Sequence, residues 1–141
     1  METNLKQLKE LFHLDDQDIR SYSPLTLAYI GDGVYELIIR TILVKKGNCP
    51  VNHLHKKASS LVKASAQSEI MEIIEDKLDP EELSVYRRGR NAHSPTMAKH
   101  ATMADYRRAT GFEALIGYLY LKEEYLRILE LIRMGIGEDV L

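Results

Sequence analysis

Apolar residues recur at helical spacing along nearly the whole chain, and nowhere do apolar and polar positions alternate long enough to propose a strand. The pattern predicts an all-α fold, a helical bundle. Residues 5–12 read as a short first helix. Ser23 followed by Pro24 reads as an N-cap with proline at the first helical position, opening a long, largely buried helix to about Lys46, where Gly47 and Asn48 stop it. Over residues 52–63 the apolar positions Leu54, Ala58, Leu61 and Val62 fall at helical spacing, with Lys56, Lys57 and Lys63 on the other faces. Ser65 is the expected cap of a helix to Leu78 whose buried stripe is Ile70, Ile73 and Ile74. Asp79-Pro80-Glu81-Glu82 resembles a capping box and predicts a helix through Tyr86 and Arg87 that ends near Gly89. Residues 90–101 contain Asn91, Ser94 and Pro95 and lack apolar periodicity, so an exposed loop is expected there. Thr102 and Asp105 can cap a helix to about Leu121, and a last helix over residues 123–134 carries Leu126, Leu129 and Ile132.

The chain has 141 residues, 45% apolar and 28% charged, which suits one globular domain over residues 1–141 with its core in about 23–134. A membrane span is not expected: the longest apolar stretches, 25–30 and 34–44, are short or interrupted by Asp32, Glu36 and Arg40. Cys49 is the single cysteine, which excludes an internal disulfide and points to a reducing cytoplasm. His53 and His55 are two residues apart and do not share a helical face, so they make no metal-binding pair. Tyr118, Tyr120 and Tyr125 read as packing residues rather than as stacking platforms.

Two acids stand where a buried helix calls for apolar residues. Asp32 lies between Gly31 and Gly33 in Leu27-Ala28-Tyr29-Ile30-Gly31-Asp32-Gly33-Val34-Tyr35-Glu36, and glycine inside a helix costs roughly 1 kcal/mol against alanine. The expected reason is close approach of another helix, a second subunit or a ligand. Glu113 is embedded in Gly111-Phe112-Glu113-Ala114-Leu115-Ile116-Gly117. Taken singly, each acid reads as a partly exposed residue or one salt-bridged to Arg or Lys. Taken together, they suggest a shared divalent cation, and hard oxygen ligands select Mg2+ or Mn2+ over zinc.

The two segments resemble the paired motifs of the ribonuclease III family, and Phe112-Glu113-Ala114-Leu115-Ile116-Gly117 matches the second motif residue for residue. The likeness covers roughly residues 23–121. It implies the family's helical endonuclease domain, with Asp32 and Glu113 as catalytic residues that also bind Mg2+, for which Mn2+ can substitute. Two positions depart from the longer members: Ala28 and Thr110 stand where those have a glutamate and an aspartate. Fewer protein ligands imply more metal-bound water. Such departures, with no double-stranded-RNA-binding domain expected after Leu141, resemble the short, Mini branch of the family. That likeness implies a cytoplasmic, homodimeric endoribonuclease acting on double-stranded regions of precursor large-subunit (23S) ribosomal RNA and leaving 5′-phosphate ends. The alternative is a non-catalytic RNA-binding or ribosome-associated module of the same fold.

Net charge is −2, but it is unevenly spread. Acids dominate residues 69–82, whereas Arg87, Arg88, Arg90, Lys99, Arg107 and Arg108 follow with Asp105 alone against them. Given the resemblance, the expected RNA-binding residues are Arg87, Arg88, Arg90, Asn91, His93, Lys99, Arg107 and Arg108, which offer phosphate and 2′-hydroxyl donors. His100 and Lys56, Lys57 and Lys63 could extend that surface, or the lysines could simply be a solvated face.

Overall fold

The computed structural model describes residues 2–92 and 102–137, and all regular structure among them is helical. The helices are α1 (Glu2–Leu11), α2 (Pro24–Lys45), α3 (Val51–Val62), α4 (Ala64–Ile74), α5 (Pro80–Asn91), α6 (Met103–Leu121) and α7 (Tyr125–Ile136). Short 3-10 turns occupy Ile19–Ser21 and Glu75–Lys77. No helix among the described residues is long and apolar enough to cross a membrane.

Three helix starts follow from local chemistry as expected. The Thr26 amide donates to Ser23 Oγ at 3.2 Å ahead of Pro24, and the Asp105 amide donates to Thr102 Oγ1 at 3.0 Å. At α5 the capping box is complete, with Glu82 N to Asp79 Oδ1 at 2.8 Å and Asp79 N to Glu82 Oε1 at 3.0 Å. The same Glu82 carboxylate takes a forked ion pair from Arg127 at 2.8 Å on both oxygens, tying the start of α5 to the first turn of α7.

Other expectations shift. Ser65 is not a cap: α4 begins at Ala64, after the single extended residue Lys63, without any side-chain cap. The buried stripe of α4 is Gln67, Ile70, Met71 and Ile74, while Ile73 is 51% exposed. In α7, Ile128, Leu131 and Ile132 are buried and Leu126 is 69% exposed. Periodicity sets the angular spacing of apolar side chains, but which sector meets the core depends on the neighbouring helices.

The bundle is built around α6, which packs against α2, α5, α4 and α7. Residues on all of its sides are buried, including Phe112, Leu115, Ile116 and Leu119, so it carries no amphipathic stripe. Tyr35 of α2 meets Phe112 edge-on, with ring centroids 5.1 Å apart, and donates its hydroxyl to Leu61 O at 2.8 Å. Burial holds that phenol above its ordinary range. Tyr118 is buried, and Tyr120 and Tyr125 pack against the core, as expected.

Helix α5 runs two residues past Gly89, so Arg90 and Asn91 lie in its last turn rather than in a loop. Gly89 is there for packing and not as a stop: a Cβ on it would lie 2.7 Å from Ala114 Cβ and 3.0 Å from Gly111 Cα. Residues 93–101 of the expected loop lie outside the described residues.

Candidate active site

Asp32 and Glu113 are brought together where the α2 and α6 backbones cross in contact. A Cβ on Gly31 would lie 1.7 Å from Glu113 O, and one on Gly117 would lie 2.0 Å from Leu27 O. Only glycine at both positions lets the α2 and α6 backbones touch. Asp32 follows Gly31 and Glu113 supplies the carbonyl that Gly31 meets, and their carboxyls share a hydrogen bond. Gly33 has nothing within 4 Å of such a Cβ, so of the two glycines flanking Asp32 only Gly31 serves this approach.

The Glu113 carboxyl is pushed up to about 8, first by burial and then by the adjoining Asp32 carboxylate, through like charge and a shared hydrogen bond. Gln67 opposes this weakly, its Nε2 donating to Glu113 Oε2 at 3.4 Å. Asp32 itself is exposed. Among the described residues neither acid forms an ion pair, and no group of three or more His, Cys, Asp or Glu side chains gathers to hold a metal. The arrangement is thus two hard-oxygen donors from facing helices, without a protein cation among the described residues. A divalent cation with several waters of its own fits that donor set.

The positions of the two family departures are buried and sealed. Ala28 is 7% exposed, and Thr110, equally buried, donates its hydroxyl to Tyr106 O at 3.0 Å. Sequence reasoning overlooked Gln67, which is 2% exposed. Its signal was available: it lies three residues before Ile70 and seven before Ile74, hence on the buried stripe of α4, where an amide needs partners.

The basic residues sit where α5 crosses α6. Arg87, Arg88 and Arg107 are exposed. The Arg90 guanidinium lies 5.6 Å from the Tyr86 ring centroid, and its Nε donates to Asn91 Oδ1 at 3.3 Å. Arg108 is engaged by Glu72 at 3.3 Å and Ser68 Oγ at 3.4 Å, so it spans from α6 to α4. Because Gly89 packs on Thr110, Gly111 and Ala114, the basic end of α5 reaches the level of α6 that carries Glu113. Lys56 and Lys63 are exposed and Lys57 half-buried. His93, Lys99 and His100 lie outside the described residues.

A family model described as Ribonuclease III domain matches residues 25–124, which span both acids. A Mini-ribonuclease 3 of Clostridium tetani is 50% identical over 122 residues, 86% of this chain and 81% of its own length. One from a Thermoanaerobacter species is 48% identical over 87% of both chains, and one from Staphylococcus aureus is 37% identical over 80% of this chain and 86% of its own. Among solved structures, the crystal structure of a protein from Fusobacterium nucleatum superposes with a TM-score of 0.79 at 35% identity, covering 87% of this chain and 95% of that one. With this fold, both acids at one helix crossing and this likeness over most of its length, the chain belongs to the ribonuclease III family, in its Mini-ribonuclease 3 group, and is an endoribonuclease.

Proposed function

We propose that the protein hydrolyses double-stranded RNA in a Mg2+-dependent reaction, with Mn2+ able to substitute, and that Asp32 and Glu113 hold the cation and carry catalysis. The observation that carries this reading is the half-buried Glu113 carboxyl beside Asp32, two acids from separate helices with no ion pair to either among the described residues. Such a pair is unfavourable as two charges and is relieved by a divalent ion. When bound, that ion polarises a phosphoryl oxygen and lowers the pKa of its water.

The chain's own part is to position. The Gly31 and Gly117 contacts fix the two helix backbones from which Asp32 and Glu113 project. Arg87, Arg88 and Arg107, exposed at the same end of α6, hold phosphates of the duplex. Arg90, Asn91 and Arg108 belong to the same proposed surface, with Arg108 exchanging its tie to Glu72 for a phosphate, and His93 and Lys99, outside the described residues, are proposed RNA contacts on the resemblance alone.

The working form is a homodimer in which each protomer cuts one strand. Supporting this, Tyr29 (82% exposed), Gly33, Leu37 (57%) and Val44 (59%) fall on one face of α2, open on the single chain and next to Asp32, a face they share with the Glu36–Arg40 ion pair. The natural substrate suggested by the resemblance is precursor 23S ribosomal RNA, in the cytoplasm, a setting consistent with the single Cys49.

Cleavage of long double-stranded RNA with Mg2+ by the native chain, Asp32→Asn and Glu113→Gln tests this. Product with 5′-phosphate ends from the native chain and a loss of at least about a hundredfold in both variants is expected. Equal rates in all three would remove Asp32 and Glu113 from the reaction, and an inactive native chain would favour a non-catalytic RNA-binding role.

A further inference from the structure

Gln67 is held in a way that its packing alone does not account for. Its Nε2 donates to Val62 O at 2.7 Å and to Glu113 Oε2 at 3.4 Å, whereas Oε1 is buried without a hydrogen-bond partner. Exchanging the two ends of the amide would set Oε1 against two acceptor oxygens, Val62 O and the Glu113 carboxylate, so the orientation is dictated by its neighbours. A buried carbonyl left unpaired costs about 1–3 kcal/mol. That burden is borne on the amide whose Nε2 donates to Glu113.

We infer that Gln67 is a positioning residue of the carboxylate pair: Nε2 sets the Glu113 rotamer, and Oε1 accepts a hydrogen bond from water that arrives with the divalent cation. The inference rests on the reading of Asp32 and Glu113 as the cation site. It explains how a site with two carboxylates orders the water-rich shell that two ligands leave on Mg2+. Anchoring by Val62 O, the last residue of α3, makes the α3–α4 junction the support of this amide. No proton or electron changes place at Gln67, and its contribution is geometric.

The test compares the native chain with Gln67→Met, which keeps length and volume but has no donor or strong acceptor. Mn2+ binding is measured by calorimetry without RNA, and melting is followed with metal removed. Outer-shell partners typically contribute 10–100-fold to metal affinity. The expected result is a Mn2+ affinity lower by about 10-fold or more, metal-free melting within a few degrees of the native chain, and cleavage that recovers as Mn2+ is raised. Unchanged Mn2+ affinity with lowered melting would make Gln67 a structural anchor only and overturn the inference. A native chain that binds no Mn2+ would overturn the cation site itself, whereas equal, Glu113-dependent binding in native and Gln67→Met overturns the role of Gln67 alone. If Gln67→Met does not fold, the side-chain amide signals of Gln67 in the native protein decide. They are expected to shift as Mg2+ is added and to saturate with cation binding, and static signals reject the assignment.

Discussion

The Cα of Gly31 faces the carbonyl of Glu113 so closely that a Cβ there would sit 1.7 Å from the oxygen and 2.7 Å from Gly117 N. Because both obstacles are backbone, no rotamer change relieves the overlap. Gly31→Ala is expected to destabilise the fold by at least about 3 kcal/mol, read by urea denaturation. Gly33→Ala, which meets nothing within the chain, should stay within about 1 kcal/mol of the native protein. Equal effects at the two glycines would contradict the crossing.

Glu113 gives the metal-free protein a particular pH dependence. Its carboxyl is raised from near 4.5 to about 8, so the folded chain holds a proton that the unfolded chain releases. The associated stability is present below about 4.5 and is lost as pH rises towards 8. Denaturation with metal removed should show this fall, Glu113→Gln should flatten it, and Mg2+ should oppose it if the site holds the ion. Mn2+ affinity should correspondingly rise with pH up to about 8. A metal-free profile unaffected by Glu113→Gln would refute the assignment of the shift.

The forked pair between Arg127 and Glu82 carries a prediction of opposite sign. Arg127 holds the Glu82 carboxyl below its usual range against the effect of burial, so this stability is present above the ordinary carboxylate range and disappears as pH falls through the lowered value. Arg127→Met leaves Glu82 charged and nearly buried, and is expected to cost about 3 kcal/mol with little change in the cleavage rate at a temperature where the variant remains folded. A neutral result in thermal melting would show that Glu82 finds another donor.

Leu37 tests the proposed dimer. It is 57% exposed on the single chain, so Leu37→Glu should leave protomer folding intact while raising the dimer dissociation constant by about tenfold or more in analytical ultracentrifugation. An unchanged constant would move the subunit contact away from this face of α2.

Arg87 and Arg88 are expected to bind phosphate rather than to act in chemistry. Replacing both with alanine should weaken duplex RNA binding and reduce the salt dependence of the affinity by roughly one to two units of slope. Cleavage at saturating RNA should change much less. A loss confined to cleavage, with affinity untouched, would assign them elsewhere.

The helical class, the starts of α2, α5 and α6 and the two acids were legible in the amino-acid order, because caps, glycines and apolar period act over a few residues and need no tertiary partner. What Gly89 does, whether Ile73 or Met71 faces inward, and the burial of Gln67 against Glu113 were decided only by the packing of α4 and α5 on α6. A glycine can end a helix or admit a neighbour, and an apolar residue on a helix can face either way. Both choices are settled by distant segments that the local sequence does not contain.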